Sequence, residues 1–244
     1  MSYHNMKIQK YISIALTGLA LSLSNASFAD VDTLAKNLKN NYPNLSAKVV
    51  GESPVDDIYE VQVAGNLVYT NEDARYFFVG NLVDFKNKTN VTEQRQQELS
   101  QIDISQLPLE DAIKNVKGNG ERKLYIFSDP DCPYCQRLEQ ELTTVNNVTI
   151  YTFMMPLKAL HPNAETIAKK VWCSDNRYEA WEDYMLHQKA PSASENCNNP
   201  VKQNIDLATR LNVTGTPTMF LENGQRISGG RSAQELEVIL NTVK

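Results

Sequence analysis

The stretch Phe127-Ser128-Asp129-Pro130-Asp131-Cys132-Pro133-Tyr134-Cys135 decides the fold: an apolar strand, residues 123–127, runs into two cysteines separated by two residues. A cysteine at a helix start faces unpaired backbone N–H groups and the positive end of the helix dipole, which favour thiolate over thiol. Cys132 therefore reads as a nucleophile, and Cys135, one turn on and more buried, as the thiol that resolves its mixed disulfides. Pro133 costs the helix little, because the N–H it lacks would have been unpaired there. Tyr134 is expected partly exposed beside the sulfur. Asp129 and Asp131 oppose the thiolate, so the sequence leaves the acidity of Cys132 open. A CxxC pair also occurs as half a metal site or as a structural bridge.

Outward from this point, the elements follow in a definite order. Residues 112–116 alternate, Gly118-Asn119-Gly120 turns, and strand 123–127 leads into a helix carrying Leu138 and Leu142. A buried strand at 148–155, a helical region from Ala164 to about His187 and a helix at 201–211 come next. Strand 218–221, turn Asn223-Gly224, strand 226–228 and a terminal helix at 232–243 complete the chain. This is the thioredoxin order with a helical insertion, an α/β domain over 109–244. Thr216-Pro217 stands at the entry to strand 218–221: on its own it reads as a plain trans turn, whereas the likeness to thioredoxin-like folds implies a cis proline opposite the CxxC that leaves the preceding backbone free to pair with an extended substrate.

The earlier half differs in character. Val31, Leu34, Ala35, Leu38 and Tyr42 recur at helical spacing, and Pro43 ends the pattern. Tyr59, Val61 and Val63 alternate with polar residues, Gly65-Asn66 turns, 67–70 returns, and short strands at 75–79 and 82–85 follow. Helix plus meander over 30–89 makes a small cystatin-like α+β domain, which gains stability by pairing with a copy of itself through an edge strand or stands as a monomeric binding module. Residues 92–105 are polar, with Asn90 or Thr92 as cap, and read as a solvated linker helix over 90–108 that Pro108 breaks.

Lys7 and Lys10 precede an apolar run at 11–21, and Ser27-Phe28-Ala29 offers small residues for a signal peptidase. A signal peptide over 1–29, cleaved after Ala29, would leave 215 of the 244 residues. The competing reading, a membrane anchor, needs a longer apolar run of about 20 residues. A net charge of −5 with no basic cluster argues against a nucleic-acid partner. The four cysteines allow three pairings. In an oxidising compartment the close pair Cys132/Cys135 with a separate Cys173/Cys197 bridge is favoured, because the distant two lack the paired spacing of a zinc knuckle. No metal or cofactor is expected, and His161 and His187 are expected on helix surfaces without a role as base.

The chain resembles the bacterial periplasmic disulfide isomerases of the DsbC/DsbG family over its whole mature length, closer to DsbC. Ile58-Tyr59-Glu60-Val61 and Asp73-Ala74-Arg75-Tyr76 resemble its dimerisation domain, with Ala74 in place of a glycine. Asn90-Val91-Thr92-Glu93 resembles the start of its linker helix. Phe127 to Cys135, Val171-Trp172-Cys173 and Leu211 to Thr218 resemble its catalytic domain, and Thr216 before Pro217 is the isomerase-type choice where DsbA oxidases carry valine. The resemblance implies a V-shaped homodimer with an apolar cleft for misfolded or mis-oxidised exported proteins. It also implies catalysis by Cys132 and Cys135, client binding by Pro133, Tyr134, Thr216 and Pro217, and a DsbD-type membrane reductant. The Cys173/Cys197 pair is DsbC-like. The Pro133-Tyr134 dipeptide is DsbG-like, and carries the alternative of a sulfenic acid reductase and chaperone acting on single client cysteines.

Overall fold

The computed structural model describes residues 26–243. The apolar run at 11–21 lies outside the described residues. The first helix, α1 (Ala26–Asn41), runs across the expected cleavage point after Ala29. The chain divides into two compact units at Gly80/Asn81.

In the first unit, β1 (Ala47–Glu52), β2 (Tyr59–Val63), β3 (Asn66–Thr70) and β4 (Phe77–Phe78) form an antiparallel sheet in chain order. The helical spacing of Leu34 and Leu38 and the two-residue period of the strands put one face of each together. Leu34, Leu38, Tyr59, Val61, Val68 and Ala74 form the core. Strand β1 was not expected, since Lys48, Gly51 and Glu52 blur its alternation; it pairs with β2 through a register shift between Val49 and Gly51. Of the strand expected at 75–79 only Phe77 and Phe78 pair with β3. Ala74, buried at φ +52, adopts the left-handed conformation that a glycine would take without strain. Tyr76, Phe78 and Val79 leave this sheet edge apolar and exposed.

The second unit opens with β5 (Val83–Asp84) and β6 (Thr89–Asn90), a separate two-stranded hairpin, so the strand expected at 82–85 does not extend the first sheet. Asn90 caps α2 (Val91–Leu99) by accepting from the Glu93 N–H. The linker helix expected over 90–108 is corrected here: α2 stops at Ser100, and 3-10 turns follow at Ile104–Gln106 and Leu109–Asp111. Burial overrides helix propensity at this point. Ile102, Ile104 and Leu109 pack against the aromatic core of the second unit, and Ile102 donates its N–H to Gly224 O at 3.1 Å.

The main sheet has the order β11-β10-β8-β9-β7, built from β7 (Ile113–Lys117), β8 (Arg122–Ser128), β9 (Val148–Met154), β10 (Thr218–Leu221) and β11 (Arg226–Ser228). Only β8 and β9 run parallel; the other pairs are antiparallel. The two faces of β8 divide the core. Leu124 and Ile126 meet Leu138 and Leu142 of α3 (Pro133–Leu142) and Leu236 and Leu240 of α7 (Ala233–Leu240). Tyr125 and Phe127 meet Leu207 and Ala208 of α6 (Val201–Arg210). The helical region expected from Ala164 to His187 is two helices, α4 (Ala164–Trp172) and α5 (Arg177–His187). Asn176 starts α5 afresh by accepting from the Glu179 N–H. Cys173, at the end of α4, is joined to Cys197.

Candidate active site

Strand β8 delivers Ser128 and Asp129 to the edge of the core, and the chain turns through Pro130 and Asp131 into α3. Cys132 is the N-cap of that helix and Pro133 its first residue, so the helix places the second sulfur one turn below the first. Both thiols are free and buried, Cys135 completely and Cys132 with 5% of its surface exposed. Tyr134 projects outward at 71% exposure. Beside it a groove is lined by Arg137, Glu141, Gly230 and Arg231.

Opposite the cysteines, the Thr216-Pro217 peptide bond is cis. Thr218 opens β10, which lies beside β8 with Thr218 against Phe127, and this register brings Thr216 to the CxxC. The Cys132 thiol donates to Thr216 O at 3.6 Å. The Thr216 and Ser128 hydroxyls are both buried without a hydrogen-bond partner.

The two sulfurs are driven apart in acidity. The Cys135 thiol, hydrogen-bonded to Cys132, lowers the Cys132 pKa to about 5; burial opposes, and the N–H groups of Cys135 and Tyr134 and the Thr216 side chain add to the lowering. Burial pushes Cys135 strongly up, and the thiolate it faces pushes it further. At neutral pH the pair is thus one thiolate and one thiol, a nucleophile with a proton-bearing partner in reach.

Sequence reading missed the groups behind this loop. Asp129 is completely buried. Its carboxylate accepts from the N–H groups of Asp131 at 2.8 Å and Leu157 at 2.6 Å, and its Oδ2 is 2.9 Å from His161 Nδ1. The expectation that His161 lies on a helix surface is therefore corrected: it sits in the turn between β9 and α4, because the loop folds back to satisfy a buried carboxylate. His187 is exposed at the last position of α5. Asp131 accepts from the Tyr184 hydroxyl of α5 at 2.5 Å. The one signal available in the sequence was an aspartate directly after a buried strand, which requires partners from elsewhere in the chain. Among the described residues no cluster of metal-ligating side chains occurs.

Residues 25–93 match the family of disulfide bond isomerase protein N-terminal domains, and residues 109–244 match a thioredoxin-like domain family. The probable thiol:disulfide interchange protein DsbC of Bordetella pertussis is 34% identical over 209 residues, covering 86% of this chain and 74% of that one. The thiol:disulfide interchange protein DsbC of Escherichia coli K12 is 23% identical over 219 residues, 88% of this chain and 90% of that one. A crystal structure of a disulfide interchange protein from Neisseria gonorrhoeae superposes with a TM-score of 0.54 at 43% identity, covering 56% of this chain and 97% of that chain. With an N-terminal isomerase domain, a thioredoxin-like domain and relatives of this identity along most of its length, the chain belongs to the DsbC family of thiol:disulfide interchange proteins.

Proposed function

We propose that Cys132 is the nucleophile and Cys135 the resolving thiol of a thiol-disulfide isomerase that reshuffles or reduces incorrect disulfides in exported proteins. The observation that carries this reading is the contact of Cys132 with Thr216 O beside an exposed Tyr134: a low-pKa sulfur set against backbone that an extended client chain can pair with.

The Cys132 thiolate attacks one sulfur of a client disulfide, forming a mixed disulfide and releasing the other client sulfur as thiolate. In isomerisation, a client thiolate attacks the mixed disulfide, forms a new client bond and regenerates Cys132. In reduction, Cys135 loses its proton, attacks Cys132, and leaves the client as a dithiol and the protein oxidised. Repeated reduction requires an external dithiol donor, assigned here to a DsbD-type membrane reductant. Pro133, Tyr134, Thr216 and Pro217 form the client-binding rim.

The first unit serves as a dimerisation domain through its exposed edge at Tyr76, Phe78 and Val79, giving a homodimer with a client cleft and chaperone activity. A thioredoxin-like catalytic domain over 109–244, export after cleavage at Ala29 and a periplasmic location belong to the same reading.

Reactivation of scrambled ribonuclease tests it. Cys132→Ser is expected to abolish reactivation, and full activity in that variant overturns the assignment. Clients trapped on Cys135→Ala are expected to carry several cysteines; a set dominated by single-cysteine clients favours the DsbG-like sulfenic acid reductase instead.

A further inference from the structure

The active-site loop carries more negative charge than its cysteines need. Asp129 and Asp131 flank the start of the CxxC, and a carboxylate close to Cys132 disfavours a second negative charge on its sulfur. Asp129 is also the hub of the loop. Its carbonyl accepts from the Cys132 N–H at 3.2 Å, and its own N–H donates to Cys135 Sγ at 3.5 Å. A buried carboxylate so close to a thiolate requires a cation or a proton.

Among the described residues, the side chain within 4 Å of the Asp129 carboxylate that can carry positive charge is His161. A carboxylate only accepts, so Nδ1 is the donor, which leaves Nε2 to take or lose the titrating proton. The remaining charged and titratable neighbours do not supply a cation. On the loop itself these are Asp131 and Cys132, and the hydroxyl of Tyr184 on α5 is committed to Asp131. Lys158, on the same turn as His161, lies 3.6 Å from Glu165 on α4, and Glu165 is bonded to Lys169 at 2.6 Å.

We propose that His161 is a positioning residue for the Cys132/Cys135 couple: its imidazolium pairs with the buried Asp129 carboxylate and relieves the Cys132 thiolate of that opposing charge. This rests on Cys132 and Cys135 being the redox pair. The Asp129 carboxylate and the Cys132 thiolate both raise the proton affinity of His161. Binding of one charge and loss of another are reciprocal, so the proton on His161 is held more tightly when Cys132 is a thiolate than when it is in a disulfide. When dithiothreitol reduces the disulfide, it gives up two electrons and two protons. One proton stays on Cys135, and the other goes partly to His161 rather than wholly to solvent.

The test uses the full chain with labelled histidines; the sequence has three, and His161→Gln identifies the signal of interest. Its pKa is measured by NMR in the oxidised and the dithiothreitol-reduced protein. The expected result is a proton affinity at least about threefold higher in the reduced form, a modest coupling between two unit charges in a partly buried site. In parallel, the 240 nm thiolate absorbance of Cys132 is titrated in wild type and His161→Gln, where glutamine keeps a hydrogen bond to Asp129 without the charge. Cys132 is expected to bind its proton several-fold more tightly in the variant. Equal His161 titrations in the two redox states overturn the proposal, whether or not the variant folds. Failure of the underlying assignment has a separate signature: no thiolate titration at Cys132 and full ribonuclease reactivation by Cys132→Ser.

Discussion

Trp181 donates its indole N–H to Glu139 Oε1 at 2.8 Å, tying the inserted helix α5 to the helix that carries the cysteines. Trp181 is buried in the same cluster as Cys132 and Cys135, and Glu139 lies one turn beyond Cys135. Burial pushes the Glu139 pKa up to about 7; the Trp181 bond and Lys117 act against this and Glu182 adds to it. A carboxyl that binds its proton more tightly when folded contributes stability that is fully present below its unfolded pKa and lost as pH rises through the folded one. Here that window runs from about 4.5 to about 7. Over it the loss is about 3 kcal/mol at 1.36 kcal/mol per pH unit. Glu139→Gln keeps an acceptor for Trp181 and removes the titration. Urea midpoints at pH 4 and pH 8 should coincide with wild type at the first and exceed it at the second. An equal gain at both would reject burial of the charge as the cause.

The segment after α2 packs on the core of the second unit and is also fastened there by one turn. Gly224 has φ +82, and a Cβ added there would collide with the carbonyl oxygen of Ile102, whose N–H is bonded to Gly224 O. Gly224→Ala therefore combines left-handed strain of about 1–2 kcal/mol with loss of this docking. Gly229 is the control. Its φ of +78 carries the same strain, but an added Cβ meets only the Arg231 side chain at 3.8 Å. Hydrogen exchange should quicken at Ile102 and Leu107 in Gly224→Ala and stay near wild type in Gly229→Ala. Equal protection in the two variants would show that the contact does not hold the segment.

The parts of this fold that were legible in the sequence are those decided by local pattern. The run Leu124 to Phe127, the cysteines at a helix start, and Pro217 before a short apolar strand each announce their element within a few residues. What was not legible depends on distant partners. Ile102 and Ile104 sit in a polar stretch and are read as a helix face until Gly224, 122 positions after Ile102, presents its carbonyl. His161 and Asp129 are 32 residues apart, and nothing local in the turn before α4 marks a histidine that answers a buried carboxylate. Strand β1 exists because β2 offers it an edge rather than because its own residues alternate.

Cys173 and Cys197 are 24 positions apart, and their bond pins the irregular stretch 188–200 to the end of α4. In the chain-entropy account a loop of this length contributes about 3.5 kcal/mol. The Cys173→Ala/Cys197→Ala pair should unfold at correspondingly lower denaturant. The Cys132/Cys135 equilibrium with glutathione should stay within twofold of wild type, because the bond lies outside the contacts of those two sulfurs. A larger change in that equilibrium would give the second bridge a part in the redox chemistry.

The acidity of Cys132 sets the pH profile of its chemistry. Its pKa is lowered to about 5, chiefly by the Cys135 hydrogen bond. Alkylation by iodoacetamide should therefore rise with pH up to about 6 and level off, with single-site titration. Cys135 remains a thiol throughout this range, so it should stay unmodified until Cys132 is blocked. Cys135→Ala removes the first cause of the low pKa while leaving the helix N-terminus and the Thr216 side chain in place. The inflection should move upward, towards the ordinary thiol range near 9. An unchanged inflection in that variant would transfer the effect to the backbone N–H groups of α3, and Thr216→Val would then report how much of it belongs to the facing loop.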